Sequence, residues 1–175
     1  MSELSTDPRY PIGKYQPQPY SETVLRQWLS DLKNLPADLE HAVQQLDEAQ
    51  YNTPYREGGW TIRQVVHHLA DSHMNAFIRF KLALTEDEPT IKPYDEKSWA
   101  ETADVKNMPA NFSLTLLHAL HARWYELARG LDKAGWERTY FHPGQKKLNT
   151  LWHTLGLYAW HGKHHVAHIT GARFD

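Results

Sequence analysis

The chain has 175 residues, a length typical of one domain, and we predict a single domain over residues 1–175. Its 19 Lys and Arg residues nearly balance its 21 Asp and Glu residues, and the net charge of -2 argues against a nucleic-acid-binding protein, which needs a basic surface. The sequence has no run of about 18 apolar residues, so no membrane span is expected, and its N-terminal segment lacks the apolar stretch of a secretory signal.

Cysteine is absent from the sequence, which excludes disulfides, thiolate metal ligands and cysteine nucleophiles. Histidine is abundant instead, with 12 residues. Because imidazole binds metal ions and exchanges protons near neutral pH, we expect the chemistry of this protein to depend on histidine.

The N-terminal segment is predicted to be an extended arm that lies on the body of the protein. Proline restricts its own φ and disfavours the α conformation of the residue before it. The first part of the chain contains Pro8, Pro11, Pro17 and Pro19. From residue 21 onward, apolar residues recur at helical spacing, and Pro36 is predicted to end one short helix and begin a second.

Three longer helices follow in the sequence. Thr61 and Gln64 have the spacing of a capping box, and they begin a helix predicted over about residues 62–84. The next helix begins at Asn111 or Ser113 and extends to about residue 131. The last helix begins near residue 149 or 150 and carries its apolar residues as far as 169.

The lengths of the links between the helices predict the topology. Short links join antiparallel neighbours, whereas the long segment 85–110 allows the second and third main helices to run in the same direction. No segment alternates apolar and polar residues as a half-buried strand does, and the segment around residues 140–144 is predicted to be a loop. The sequence therefore predicts an all-α four-helix bundle in up-down-down-up order, with an extended N-terminal arm and a long crossover between helices 2 and 3.

The last predicted helix contains a cluster of histidines, namely His161, His164, His165 and His168. Residues four apart lie on one face of a helix, where two imidazoles can bind one metal ion. The apolar residues of this helix define its buried side, and His161 and His165 border that side more closely than the other pair. The pair His161 and His165 is therefore the candidate metal-binding pair.

A catalytic zinc site commonly has three protein ligands and one open position, so a third ligand is needed. The helix over 62–84 offers His67, His68 and His73. The helical period makes His73 the most buried of the three and allows His68 only if the site lies at the flank of the core, so spacing leaves the choice open. The other histidines are predicted to have no metal-binding role, and they include His41, His118, His121 and His153.

Three long segments resemble the YfiT group of the DinB-like superfamily. They are PYREGGWTIRQVVHHLADSHMNAFIRFKLALTE (54–86), PYDEKSWAE (93–101) and LGLYAWHGKHHVAHIT (155–170). The segments YPIGKYQP (10–17) and FHP (141–143) are also similar, so the resemblance covers about residues 10–170. It implies the same up-down-down-up bundle and three metal ligands: His68, as the second histidine of VVHHLA, and His161 and His165 of HxxxH.

The resemblance also implies a function. The family is described as metal-dependent hydrolases that form homodimers in the cytoplasm and act on small molecules, with one divalent ion per chain. Zinc is the favoured ion and nickel the alternative. Relatives in the wider superfamily transfer low-molecular-weight thiols such as bacillithiol, so a metal-dependent thiol S-transferase is an alternative function, and a non-catalytic metal-binding protein is a further one.

The three candidate functions require different groups at the metal site. A hydrolase needs an open metal position for a water molecule, whose pKa a divalent ion lowers toward about 7. A thiol transferase needs a cationic pocket, for which Arg56, Arg63 and Arg79 are candidates. A non-catalytic site needs a fourth protein ligand, for which the candidates are His164 and His168.

Other residues are candidates for supporting roles. The sequence offers Asp71 and Asn75 to orient the ligands, and Tyr140, His142 and His164 to line a pocket. No residue is assigned as a catalytic acid or base. If the resemblance gives the correct ligands, His68→Ala loses the metal, whereas His73→Ala keeps the metal and loses stability.

Overall fold

The computed structural model describes residues 7–174, and most of these residues are helical. The helices and strands in chain order are α1 (Glu22–Val43), α2 (Glu48–Tyr51), α3 (Ile62–Thr85), α4 (Glu96–Trp99), α5 (Ala103–Asn107), α6 (Asn111–Arg129), α7 (Lys133–Glu137), β1 (Thr139–His142), β2 (Lys147–Thr150) and α8 (Leu151–Thr170).

The four long helices α1, α3, α6 and α8 form a bundle in which α1 and α3 each pack against both α6 and α8. The order is up-down-down-up, as the link lengths predicted. Helices α3 and α6 run the same way, since His67 contacts Ser113 and His73 contacts His121 further along both helices. The long crossover between them allows this arrangement. Two short helices, α4 and α5, lie in this crossover. Within residues 7–174, no helix has the length and apolar character required to cross a membrane.

Helix α1 is continuous through Pro36, so the predicted break at this residue is wrong. Proline has no N–H, and the carbonyl of Leu32, four residues earlier, therefore lacks its helical partner. The Nδ1–H of His121, on α6, donates a hydrogen bond to this carbonyl at 2.5 Å. The flanking side chains Leu35 and Leu39 are buried, so packing also holds the helix together across the proline.

The N-terminal arm lies along α8, as the sequence predicted. Two indole N–H groups of α8 donate to arm carbonyls: Trp152 to Gln18 at 2.7 Å and Trp160 to Gly13 at 3.3 Å. The arm also supplies the carbonyl of Arg9 to a histidine of α8. It is thus held by side chains that reach its backbone.

Small residues allow α8 to approach α1 closely. A Cβ atom at Gly156 would lie 2.5 Å from the ring of Trp28, and one at Gly162 would lie 2.6 Å from the side chain of Leu35. A larger residue at either position would require these side chains or the helices to move. This close packing positions the histidine-bearing face of α8 relative to the rest of the bundle.

A short antiparallel hairpin, β1 and β2, replaces the loop that the sequence predicted before the last helix. Each strand has only four residues, too few for an alternating pattern to stand out. The hairpin buries Tyr140, whose hydroxyl forms a hydrogen bond with that of Thr154 in α8. It also carries His142 at the end of β1, next to the crossover.

Candidate metal centre

Three histidine side chains from two helices meet at one point in the bundle. Helix α3 contributes His68, and α8 contributes His161 and His165. The Nε2 atom of His161 lies 3.3 Å from that of His68 and 3.2 Å from that of His165. One ligand atom of each residue lies within 4.8 Å of the others, so the group could hold a metal ion. The structure therefore brings together the three residues predicted as ligands, while their binding of a metal stays a prediction.

The spacing of the nitrogen atoms fits a tetrahedral ion. Nitrogen ligands about 2.0–2.1 Å from a tetrahedral zinc ion lie about 3.3–3.4 Å from one another. The two Nε2 separations of 3.3 and 3.2 Å agree with this spacing. Among the described residues, the group contains no fourth ligand, so the site has the three-ligand form that leaves a position open.

A chain of hydrogen bonds determines which nitrogen of His161 carries the proton. The Leu32 carbonyl can only accept, so His121 donates from Nδ1 and its Nε2 accepts. His73 then donates from Nδ1 to Nε2 of His121 at 3.0 Å. His161 in turn donates from Nδ1 to Nε2 of His73 at 3.2 Å. We call these four residues the inner histidine chain, and it leaves the Nε2 lone pair of His161 directed at the site.

A second chain orients His165 in the same way. His168 donates from Nε2 to the carbonyl of Arg9 at 3.3 Å, so its Nδ1 is an acceptor. His165 donates from Nδ1 to this atom, also at 3.3 Å, and its Nε2 lone pair remains free. We call Arg9, His168 and His165 the outer histidine chain. His168 is therefore a support for a candidate ligand and not the fourth ligand considered from the sequence.

The inner and outer histidine chains leave two nitrogen lone pairs in an arrangement that a cation would stabilise. The Nε2 lone pairs of His161 and His165 face each other at 3.2 Å, and like dipoles at this distance repel each other. A divalent ion that accepts both lone pairs removes this repulsion. The donor set therefore fits a metal ion on chemical grounds as well as on spacing.

The candidate ligands are neutral near pH 7 because their surroundings disfavour the charged form. Burial lowers the pKa of His68 to about 4, and the ring of Trp60 covers this imidazole at a centroid distance of 4.7 Å. Burial, followed by the charges of neighbouring imidazoles, holds the pKa values of His161 and His165 well below the ordinary value. Neutral imidazole is the form that coordinates metals.

The two adjacent histidines of α3 have different roles. His67 points to the crossover and α6: its Nε2–H donates to the Met108 carbonyl at 3.1 Å, and its Nδ1 accepts from the Ser113 hydroxyl at 2.7 Å. It therefore joins three segments of the fold, while its neighbour His68 faces α8. His164 is not part of the converging group, and its ring stacks on that of Trp160.

The supporting roles predicted for Asp71 and Asn75 are not found. The side chain of Asn75 donates to the backbone carbonyl of Asp71 at 2.8 Å, one turn back along the same helix. His73, His121 and His168 take the supporting positions instead. The only sequence signal for His121 is Pro36, because a proline inside a helix leaves a carbonyl that needs another donor.

The ionised carboxylate of Asp71 lowers the stability of the folded protein at neutral pH. Burial, followed by the charge of nearby Asp104, raises its pKa to about 6. Its pKa is higher in the folded chain than in the unfolded one, so the associated stability is present at low pH and is lost as the pH rises through about 6.

We therefore expect Asp71→Asn to stabilise the protein above pH 6 and to have no effect near pH 4. The gain is on the order of 1 kcal/mol, since solvent screens this half-buried group, and it raises the Tm by roughly 2–4 °C. Thermal unfolding of the metal-stripped protein from pH 4 to pH 8 measures this difference. Asp87→Asn, at an exposed position, controls for the loss of one negative charge, and an equal Tm difference at pH 4 and pH 8 would contradict the role of Asp71.

Two cavities flank the three converging histidines. One has a volume of about 230 Å³ and is lined by Ser72, Arg79, Tyr94, His142, Tyr158 and His161, and we call it the Arg79 cavity. The other, of about 530 Å³, includes Tyr55, Arg56, Trp60, Lys97 and His165 in its lining. His142 thus lines a cavity at the site, as predicted, whereas Tyr140 is buried in the core.

The fold and sequence have close known counterparts. A model of the DinB superfamily matches residues 31–169. A Bacillus subtilis protein named "Putative metal-dependent hydrolase YfiT" is 52% identical over 162 residues, which cover 92% of this chain and 91% of that protein. A Bacillus cereus protein named "Putative metal-dependent hydrolase" is 51% identical over 170 residues, 95% of this chain and 96% of its own.

A solved structure agrees with the sequence comparison. It has a TM-score of 0.91 and 51% sequence identity, and the match covers 93% of this chain and 94% of that one. Its description reads "YfiT from Bacillus subtilis is a probable metal-dependent hydrolase with an unusual four-helix bundle topology". The topology predicted from the link lengths is therefore confirmed.

Proposed function

Because this chain belongs to the DinB superfamily, we propose that it is a metal-dependent hydrolase whose ion is held by His68, His161 and His165. The observation that carries this proposal is the convergence of three histidine side chains, in which the Nε2 atom of His161 lies at the spacing of tetrahedral metal ligands from those of His68 and His165, without a fourth ligand among residues 7–174. The names of the relatives support it, since they describe metal-dependent hydrolases. A non-catalytic site would instead be closed by a fourth protein ligand.

The donor set favours zinc, with nickel as the alternative, at one ion per chain. Three neutral imidazoles suit either ion, and cysteine is absent. When bound, the ion acts as a Lewis acid that polarises a substrate carbonyl and lowers the pKa of a coordinated water toward about 7.

The chain's own residues bind and orient the substrate beside this site. The Arg79 cavity has His161 in its wall, so a molecule bound there lies next to the candidate ligands. In this wall His142 accepts at Nδ1 from the backbone N–H of Gln145, at 3.3 Å, so its proton is on Nε2. Burial, followed by the charge of Arg79, lowers the pKa of His142 and keeps it neutral near pH 7. It can therefore donate a hydrogen bond to a substrate oxygen.

Hydrolysis by the metal-loaded protein tests the proposal. We expect zinc-loaded or nickel-loaded protein to hydrolyse members of a panel of esters and amides, chelation to remove the activity, and addition of the metal to restore it. His165→Ala should be inactive because it removes one ligand. A panel that no loaded form hydrolyses, or hydrolysis unchanged by chelation, would contradict the proposal. A parallel reaction with bacillithiol and an electrophile tests the thiol S-transferase alternative.

Three other expectations stay predictions. The length of the chain predicts a single domain over residues 1–175, and the resemblance implies a homodimer and a cytoplasmic location. Sedimentation of the full chain tests the homodimer, which would have twice the 20.4 kDa mass of one chain.

A further inference from the structure

The side chain of Arg79 lines a cavity and has no hydrogen-bond or ion-pair partner among the residues that the structure describes. Its residue is only 9% exposed, yet it makes no ion pair or hydrogen bond within residues 7–174. Arg63, on the same helix and 8% exposed, is the contrasting case. It pairs with Glu48 and donates to the Met108 carbonyl at 3.1 Å.

Because Arg79 lines a cavity, its cationic group is available to a ligand. Within residues 7–174, no ion pair to this residue is present, so the side chain faces the cavity and not a salt-bridge network. Most of the side chain is shielded from bulk solvent, and a cation in such a cavity attracts an anion more strongly than a fully exposed cation does.

The other groups in the Arg79 cavity indicate how much negative charge it can accept. Ser72, Tyr94 and Tyr158 are neutral hydroxyl groups, and His142 is neutral near pH 7. Glu96, an exposed residue, is the carboxylate on the cavity lining and opposes a second negative charge. One guanidinium matches a single negative charge, and its planar fork matches the two oxygens of a carboxylate.

We propose that the Arg79 cavity is the substrate-binding site and that Arg79 binds a carboxylate group of the substrate. The inference rests on the proposed function, because His161 lies in the wall of the same cavity and is a candidate metal ligand. The substrate is then a small ester or amide that carries a carboxylate, whose charge is held at Arg79 in a cavity that has His161 in its wall. Arg63 already has partners, and Arg56 lines the other cavity.

Binding of a carboxylate probe tests this inference without reliance on turnover. The probe is 4-fluorobenzoate, its neutral counterpart is 4-fluorobenzamide, and ¹⁹F NMR titration of the zinc-loaded full chain measures both affinities. The titrations are repeated after the metal is removed, so that binding to the ion itself is distinguished from binding to Arg79. We expect a preference for the benzoate of about tenfold or more in both forms, the ratio typical of a charge-assisted hydrogen bond.

Variants of the two buried arginines separate a binding role from a structural one. Arg79→Gln should weaken benzoate binding about tenfold or more and leave benzamide binding unchanged. The Tm of the ligand-free variant should be close to or above that of the wild type, because Arg79 makes no hydrogen bond or ion pair within residues 7–174 whose loss would destabilise the fold, whereas loss of a structural arginine would lower the Tm. Arg63→Gln, with matched burial on the same helix, should lower the Tm and keep the benzoate affinity. Arg79→Lys should keep part of the preference, since it retains the charge but not the fork.

Several outcomes would overturn the inference. They are unchanged benzoate affinity in Arg79→Gln, equal affinities for benzoate and benzamide in the wild type, and displacement by inorganic phosphate at lower concentrations than benzoate. If Arg79→Gln does not fold, unchanged benzoate affinity in Arg79→Lys has the same meaning. Failure of the hydrolase proposal can be distinguished from failure of this inference. A protein that binds benzoate through Arg79 but hydrolyses no ester would contradict only the hydrolase proposal and would support the carboxylate site.

Discussion

Replacement of His161 or His165 by alanine is expected to abolish stoichiometric metal binding. Each variant leaves two imidazoles, too few to hold a divalent ion in an open site. Loss of a residue that only supports a ligand typically lowers metal affinity about 10–100-fold, and loss of a ligand itself should exceed this. Metal content per chain, measured by atomic spectroscopy after dialysis against a defined metal concentration, gives the result.

Histidines outside the site provide the controls. His41 is exposed and near Gln44, and His153 lies beside Tyr15 of the arm, so their alanine variants should bind metal as the wild type does. If both His161→Ala and His165→Ala retain full metal content, the ligand assignment is wrong.

His73→Ala is expected to cause a large loss of stability together with weaker metal binding. His73 is fully buried and uses both ring nitrogens, so its removal leaves a cavity and unpaired groups on His121 and His161. We expect the free energy of unfolding to fall by roughly 2–4 kcal/mol. Metal affinity should fall about 10–100-fold, since the acceptor that orients His161 is gone. From the sequence we predicted only the loss of stability for His73→Ala, with the metal retained.

His68→Ala provides the matched comparison on the same helix. It should abolish metal binding and reduce stability less than His73→Ala does, because His68 lies at the flank of the core, and its ring nitrogen faces the site and not a buried partner. Thermal unfolding of the metal-free variants and metal titration of each one separate the two quantities. Wild-type metal affinity in His73→Ala would show that the inner histidine chain does not support the site, and full metal content in His68→Ala would remove His68 from the ligands.

The long helices were predictable because their signals are local. The capping box at Thr61 and Gln64 is present as predicted, with α3 beginning at Ile62. The length of the crossover predicted the parallel arrangement of α3 and α6. Pro36 was misleading because the donor that replaces its missing hydrogen bond, His121, lies on another helix. The hairpin was missed because its strands are too short to show a period.

The sequence by itself determined which histidine pair of the last helix borders the core. Residues four apart share a face, and the helical period of the apolar residues places His161 and His165 closer to the buried side than the other pair. The sequence also limited the third ligand to the histidines of α3, and the family resemblance favoured His68 among them. Only the tertiary structure decided that His73 supports His161, that His168 supports His165, and that Arg79 has no partner among residues 7–174. His73 and His161 are far apart in the chain. The directions of the hydrogen bonds in both histidine chains depend on carbonyl groups of Leu32 and Arg9, which are also distant in sequence and have no periodic signal. Helix periodicity reports which side of a helix is buried, whereas the packing of helices and arm decides which buried side chains meet.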